Sequence, residues 1–199
     1  MAAGNGFLTE RPDTVYDSGA VYNSEDTAMA QIFRAPGSGT LELQEIGCYI
    51  EKFTTSHTPY NKLAVFNHDS ANYRPGSMVS NSESDAFAPT NIFGELKYHS
   101  YGTKPTVVAG NDYWLGIIMD ALGTFTKYSA LLSCKSGGVD SGDSLRKGCT
   151  YSTWPSWSSH TDWDGDMSLY TVYEQGASMV PIRHDMSGGF NGMTGGLIQ

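Results

Sequence analysis

The chain has 199 residues, of which 39% are hydrophobic, 12% aromatic and only 17% charged, long enough for one domain to bury about 70% of its unfolded surface without staples. Twelve Lys and Arg against 21 Asp and Glu leave a formal charge of −9, with no basic cluster, which argues against nucleic acid as a partner. The longest apolar run, Tyr113 to Met119, suits a buried strand and is too short for membrane insertion.

Residues 1–14 mix Gly, Asn, Thr, Pro and Asp without periodicity and read as an N-terminal arm. Their start lacks the basic residues and apolar stretch of a signal peptide, so either synthesis in a cytoplasm or a trimmed start is expected. Short strands follow. Ala30–Phe33, Leu41–Ile46 and Cys48–Ile50 alternate in part, and Ala35-Pro-Gly-Ser-Gly39 supplies a turn. Leu63-Ala-Val-Phe66 is apolar throughout, as in a strand buried on both faces, and 68–76 is rich in turn formers before a strand at Ser77–Ser80. Further strands are expected at Asn91–Phe93 with Leu96 and Tyr98, at Thr106–Val108, and from Tyr113 to Met119 after the turn Ala109–Asp112. A last pair, Phe125–Leu132 and Ser168–Tyr173, flanks an irregular segment holding Trp154, Trp157 and Trp163.

Roughly eight or nine short strands without a helical period predict an all-β fold. The expected architecture is a two-sheet antiparallel β-sandwich, jelly-roll-like, over residues 15–174. Residues 175–199 form a Gly- and Met-rich C-terminal arm that carries six of the 23 glycines and cannot build its own core.

Candidate sites are few. Cys48, Cys134 and Cys149 lack Cys-x-x-Cys spacing, so zinc is not indicated; Cys134 and Cys149 bracket a Gly/Ser-rich loop and would bridge only in an oxidising setting. Asp162, Asp164 and Asp166 stand at alternate positions and would offer hard oxygens to calcium, with a solvated acidic turn as the alternative. Tyr151, Trp154, Trp157 and Trp163, set beside His160, would line a shallow platform for a surface glycan, or instead fill a local core or a subunit contact. Two Asp-Ser-Gly triplets, at Asp17 and Asp140, lack the flanking residues of an aspartic protease, and the five histidines fall into no nucleophile pattern. No enzyme and no obligatory cofactor are expected. In the C-terminal arm, Met179, Ile182, Met186, Phe190, Met193, Leu197 and Ile198 are spaced along a pliable backbone, suited to lie in grooves of a neighbour during assembly.

One series resembles a known group. Gly39-Thr-Leu-Glu-Leu43 with Ile46-Gly47, Leu63-Ala-Val-Phe66 with Asp69, Pro75-Gly-Ser-Met-Val79 with Ser82, and Val107-x-Ala-Gly-x-x-Tyr-Trp-Leu-x-Ile117 are similar to jelly-roll domains of bacteriophage virion proteins, tail and decoration proteins especially, and of secreted bacterial carbohydrate-binding modules. The similarity runs from about residue 17 through Trp154-Pro155 to the strand Leu169–Tyr173. It implies a virion structural protein whose partners are other virion proteins and copies of itself, reached through the terminal arms. The alternative it implies is a carbohydrate-binding module or receptor-binding lectin.

Overall fold

The structure, a computed structural model, describes residues 6–12, 20–23, 27–52, 60–91, 94–119, 130–136, 142–151, 153–163 and 165–175. Among these residues there are fourteen strands and no helix. In chain order they are β1 (Gly6–Leu8), β2 (Ala20–Asn23), β3 (Thr27–Arg34), β4 (Thr40–Lys52), β5 (Asn61–Asp69), β6 (Arg74–Met78) and β7 (Glu95–Ser100). The second half supplies β8 (Thr106–Val108), β9 (Asp112–Met119), β10 (Ala130–Ser136), β11 (Ser144–Gly148), β12 (Thr161–Trp163), β13 (Gly165–Met167) and β14 (Leu169–Gln175).

The strands form an all-β sandwich of two sheets. An eight-stranded sheet runs β1-β14-β4-β10-β13, with β2 beside β10 and with β7 and β8 beside β4. A six-stranded sheet runs β12-β11-β3-β9-β5-β6. Among the described strands only the β1–β14 pairing is parallel.

Period-two alternation decides what lies between the sheets. In β9, Tyr113, Leu115, Ile117 and Met119 turn inward, as do Leu63 and Val65 of β5 and Met29 and Phe33 of β3. They meet Leu41, Leu43, Ile46, Cys48 and Ile50 of β4, together with Met167 and Leu169. The change of phase between Leu43 and Ile46 has a local cause. The register of β4 against β14 shifts between Val172 and Tyr173, which pair with Glu45 and Leu43, leaving Gln44 as the extra residue of a bulge. What reads in sequence as two short strands is therefore one strand of 13 residues.

Polar stitches join the sheets at one end. Gln31, at an inward position of β3, donates from Nε2 to Asp166 Oδ1 at 2.8 Å and accepts the Met167 N–H on Oε1 at 2.6 Å. Ser144 of β11 donates its hydroxyl to the Gly165 carbonyl at 2.8 Å. Buried polar groups are tolerated when partnered in this way.

Several expected boundaries move. Gly6–Leu8, inside the stretch read as an arm, is an edge strand: Phe7 packs against the core with its ring 6.1 Å from that of Tyr113. Gln175, assigned to the C-terminal arm, belongs to β14, where it pairs with Leu41. The segment 68–76 is mostly strand, with the turn confined to 70–73. β11, β12 and β13 are not anticipated from sequence, because Ser144–Gly148 offers one apolar residue, Leu145, and Gly165-Asp-Met reads as a turn.

Two features of the fold generate predictions. Gly47 of β4 faces outward under the ring of Tyr170, and a Cβ there would overlap that ring. Gly47→Ala is expected to cost about 1–3 kcal/mol in urea unfolding, whereas Gly102→Ala, with nothing within 4 Å of the added carbon, should change stability little. The connection into β7 is held by Glu95. Partial burial pushes its carboxyl upward, but hydrogen bonds from the Thr90 N–H, Lys97, the Asn91 N–H and the Thr90 hydroxyl outweigh this, so its pKa lies below the ordinary 4.5. A carboxylate depressed in the folded state stabilises it above that ordinary value and loses the contribution as pH falls through the depressed one. Glu95→Gln should therefore lower stability at pH 7 and narrow the gap between pH 7 and pH 3 in urea titrations.

Candidate functional site

The outward face of the six-stranded sheet is as apolar as its inward face. Ala28, Ala30, Ala64, Phe66, Trp114, Ile118 and Leu145 form a second buried cluster there, with Ile32 and Met78 at its margin. Among the described residues no second sheet covers this face. The irregular segment between β11 and β12 does so, laying Trp157, Trp154, Tyr151 and Cys149 on it. Small residues at the centre make room: a Cβ at Gly116 would stand 3.0 Å from the Phe66 ring and 3.3 Å from that of Trp154.

Of the two readings of the aromatic segment, a sugar platform or a local core, the packing of these rings agrees with the local core. Trp157 is only 4% exposed, so neither face of its indole is open to a sugar. The Trp154 ring stands edge-on to Phe66 at 5.0 Å, and the Trp157 ring does the same at 6.4 Å. Trp163 turns to the inter-sheet core and lies over Gly165, so the four rings divide between two clusters. The segment is pinned at its rim, where the Trp154 indole N–H donates to Glu83 Oε1 at 2.9 Å and Lys62 pairs with the same oxygen at 3.2 Å. Lys147 donates to the Ser159 hydroxyl at 2.9 Å, and the His160 Nδ1–H donates to the Trp157 carbonyl at 3.0 Å.

The candidate calcium aspartates are described only in part. Asp166 is 1% exposed and holds Gln31 in the interior. Asp162 is exposed, 3.4 Å from His160 Nε2. Asp162 and Asp166 are thus divided between solvent and core, and Asp164 lies outside the described residues. Among the described residues no cluster of three His, Cys, Asp or Glu side chains could hold a metal ion. Cys48 is fully buried, and burial pushes its thiol pKa well up, which suits a core residue and not a nucleophile.

Two regions are left. The first is the edge where the chain ends meet: β1 lies parallel to β14, Gly6 opposite Tyr170 and Leu8 opposite Val172. Beyond β1 the chain crosses the outer face of the eight-stranded sheet. There Arg11 donates from Nε and Nη2 to the two carboxylate oxygens of Glu45, at 2.9 and 2.7 Å, with its guanidinium 3.4 Å above the Tyr98 ring. The side-chain hydrogen bond to Glu45, opposed in part by burial, raises the pKa of Arg11 above its already high value. The assembly candidates Met179, Ile182, Met186, Phe190, Met193, Leu197 and Ile198 lie outside the described residues, which stop at Gln175 on this edge.

The second region is a cavity of about 340 Å³ at the end of β3, β9 and β5. Arg34 and Asp112 face each other across the β3–β9 ladder, and Asn67 opposes Tyr113 across β9–β5. His68, Ser70 and the turn residues Gly110 and Asn111 complete the wall. Nothing in the sequence marks this place, because its residues come from three strand ends and look like ordinary turn formers.

No family model matches the chain, and no curated protein matches it.

The packing of the tryptophan segment has a direct consequence. Trp157→Ala should destabilise the fold by about 3–5 kcal/mol in denaturant unfolding, the cost of emptying a buried aromatic site. Trp154→Ala, on a partly buried ring, should cost less. An unaltered unfolding midpoint for Trp157→Ala would place that ring in solvent.

Proposed function

We propose that this protein is a non-enzymatic structural subunit of a virion, a capsid decoration or tail component, fastened to neighbouring subunits through its two ends. The observation that supports the reading best is the meeting of both ends at one sheet edge, where β1 pairs with β14 through three residues on either side. Among the described residues β1 pairs with no second strand, which fits an edge that receives one. Such an edge takes an added strand through main-chain hydrogen bonds, with side chains setting specificity.

From this edge 24 further residues follow β14 (176–199), with Met, Ile, Phe and Leu spaced among glycines. A segment of this composition fits a partner's shallow grooves, and many copies binding at once raise avidity beyond any single contact. The net charge of −9 keeps free subunits apart before assembly. The similarity of the strand motifs to virion jelly-roll domains agrees with this role.

Deleting residues 176–199 should leave the sandwich folded, with an unfolding midpoint close to that of the full chain, and abolish incorporation into particles. The measurement is co-sedimentation of wild type and truncation with assembled particles. Incorporation of the truncated chain at wild-type level would contradict the proposal.

A further inference from the structure

We propose that the cavity at the end of β3, β9 and β5 is a binding site for a neutral saccharide, one or two hexose units of a glycan. The site is separate from the terminal edge, and the inference stands on the cavity alone. Its volume of about 340 Å³ falls at the lower end of the roughly 300–1,000 Å³ usual for small-molecule sites.

The charge of the wall selects the ligand class. Arg34 and Asp112 stand 3.7 Å apart, with side chains 70% and 38% exposed, so they bind each other weakly and are available to a ligand. Together they cancel. A phosphate or carboxylate would meet Asp112, and a cation would meet Arg34, whereas a polyol uses both. The other wall groups are neutral and of mixed sense. Asn67 spends its amide N–H groups on the Ser77 carbonyl and hydroxyl, each at 3.1 Å, which leaves its carbonyl oxygen as an acceptor. Ser70 both gives and takes. His68 accepts the Trp114 indole N–H on Nδ1 at 3.0 Å, so the neutral ring carries its hydrogen on Nε2 as a donor. Alternating donors and acceptors without net charge are what a ring of hydroxyl groups requires.

The wall is also held in place before any ligand arrives, which limits the ordering cost of binding. Gly110, at φ +82°, lets the turn fold back on Ala35: the Gly110 N–H donates to the Ala35 carbonyl at 2.8 Å, and the Ala35 N–H to the Asn111 carbonyl at 2.9 Å. With the Asn111 N–H also directed to the Val108 carbonyl at 3.3 Å, its side-chain amide is the group left to offer. Tyr113 is fixed because its hydroxyl accepts the Val108 N–H at 2.9 Å. Behind the wall residue His68, Tyr73 stands edge-on to its ring at 5.1 Å, is 48% exposed and donates its hydroxyl to Asp143 Oδ1 at 2.6 Å.

The test is saturation-transfer NMR and calorimetric titration of the full chain with glucose, galactose, mannose, N-acetylglucosamine, lactose and cellobiose, and with inorganic phosphate as the anionic comparison. Saturable binding of at least one neutral sugar is expected. Asp112→Ala and Asn111→Ala should each weaken it about tenfold or more, the loss expected on removing one well-made hydrogen bond. Arg34→Ala, at the most exposed position, gives a third variant whose folding is safe, and Lys104→Ala should leave binding unchanged. Failure of all six sugars to bind would overturn the proposal, as would binding unaffected in the three cavity variants. Phosphate binding at the same site in place of sugar would overturn the neutral class.

Discussion

The constraint on which the rest of the structure depends is that the six-stranded sheet is apolar on both faces and must be covered twice. Leu63 and Val65 point one way and Ala64 and Phe66 the other; Leu115 and Ile117 point one way and Trp114 and Ile118 the other. An antiparallel sheet ordinarily leaves one face to water. Here the eight-stranded sheet covers the inner face, and Trp154 and Trp157 cover the outer one. Burial at about 25 cal/mol per Å² makes each such ring a large contribution, and the small residues Ala28, Ala30, Ala64 and Gly116 make the depression that receives them. The aromatic segment is accordingly a third layer on the sheet.

That layer was half legible in the sequence. The unbroken run Leu63–Phe66 announces a strand buried on both sides, and the structure bears that out. The tryptophans announce themselves as needing burial or a ligand. Their destination does not follow, because the depression is assembled from β3, β5 and β9, whose residues are far from the tryptophans in sequence. β13 was hidden for a similar reason. Gly165 and Asp166 are poor strand formers by composition; Asp166 is held there by Gln31, 135 positions away, and Gly165 by the Ser144 hydroxyl. The parallel pairing of β1 likewise has no local signal, since three residues carry too little pattern to mark a strand. The all-β class and the two-sheet sandwich were readable because alternation is local. Cross-sheet polar partners, the bulge at Gln44 and the cavity at three strand ends depend on contacts that only the fold brings together.

The division of labour follows from these placements. The interior of the sandwich is committed to packing, and its few buried polar groups, such as Gln31 and Asp166, serve each other. Surfaces able to engage something else lie at the periphery: the edge where β1 meets β14, and the polar cavity walled by Arg34, His68, Asn111 and Asp112. The first is proposed for repeated protein contacts and the second for a small neutral ligand. The two regions belong to different sheets, so the two proposed roles do not compete for the same residues.

The central claim, that the tryptophan segment closes the outer face, is tested most directly by a double-mutant cycle between Phe66→Leu and Trp154→Ala. The two rings stand edge-to-face at 5.0 Å, and such aromatic pairs couple by about 0.5–1.5 kcal/mol beyond area burial. A coupling energy in that range in denaturant unfolding is the predicted result. Strict additivity, within the roughly 0.3–0.5 kcal/mol typical of distant sites, would contradict the account.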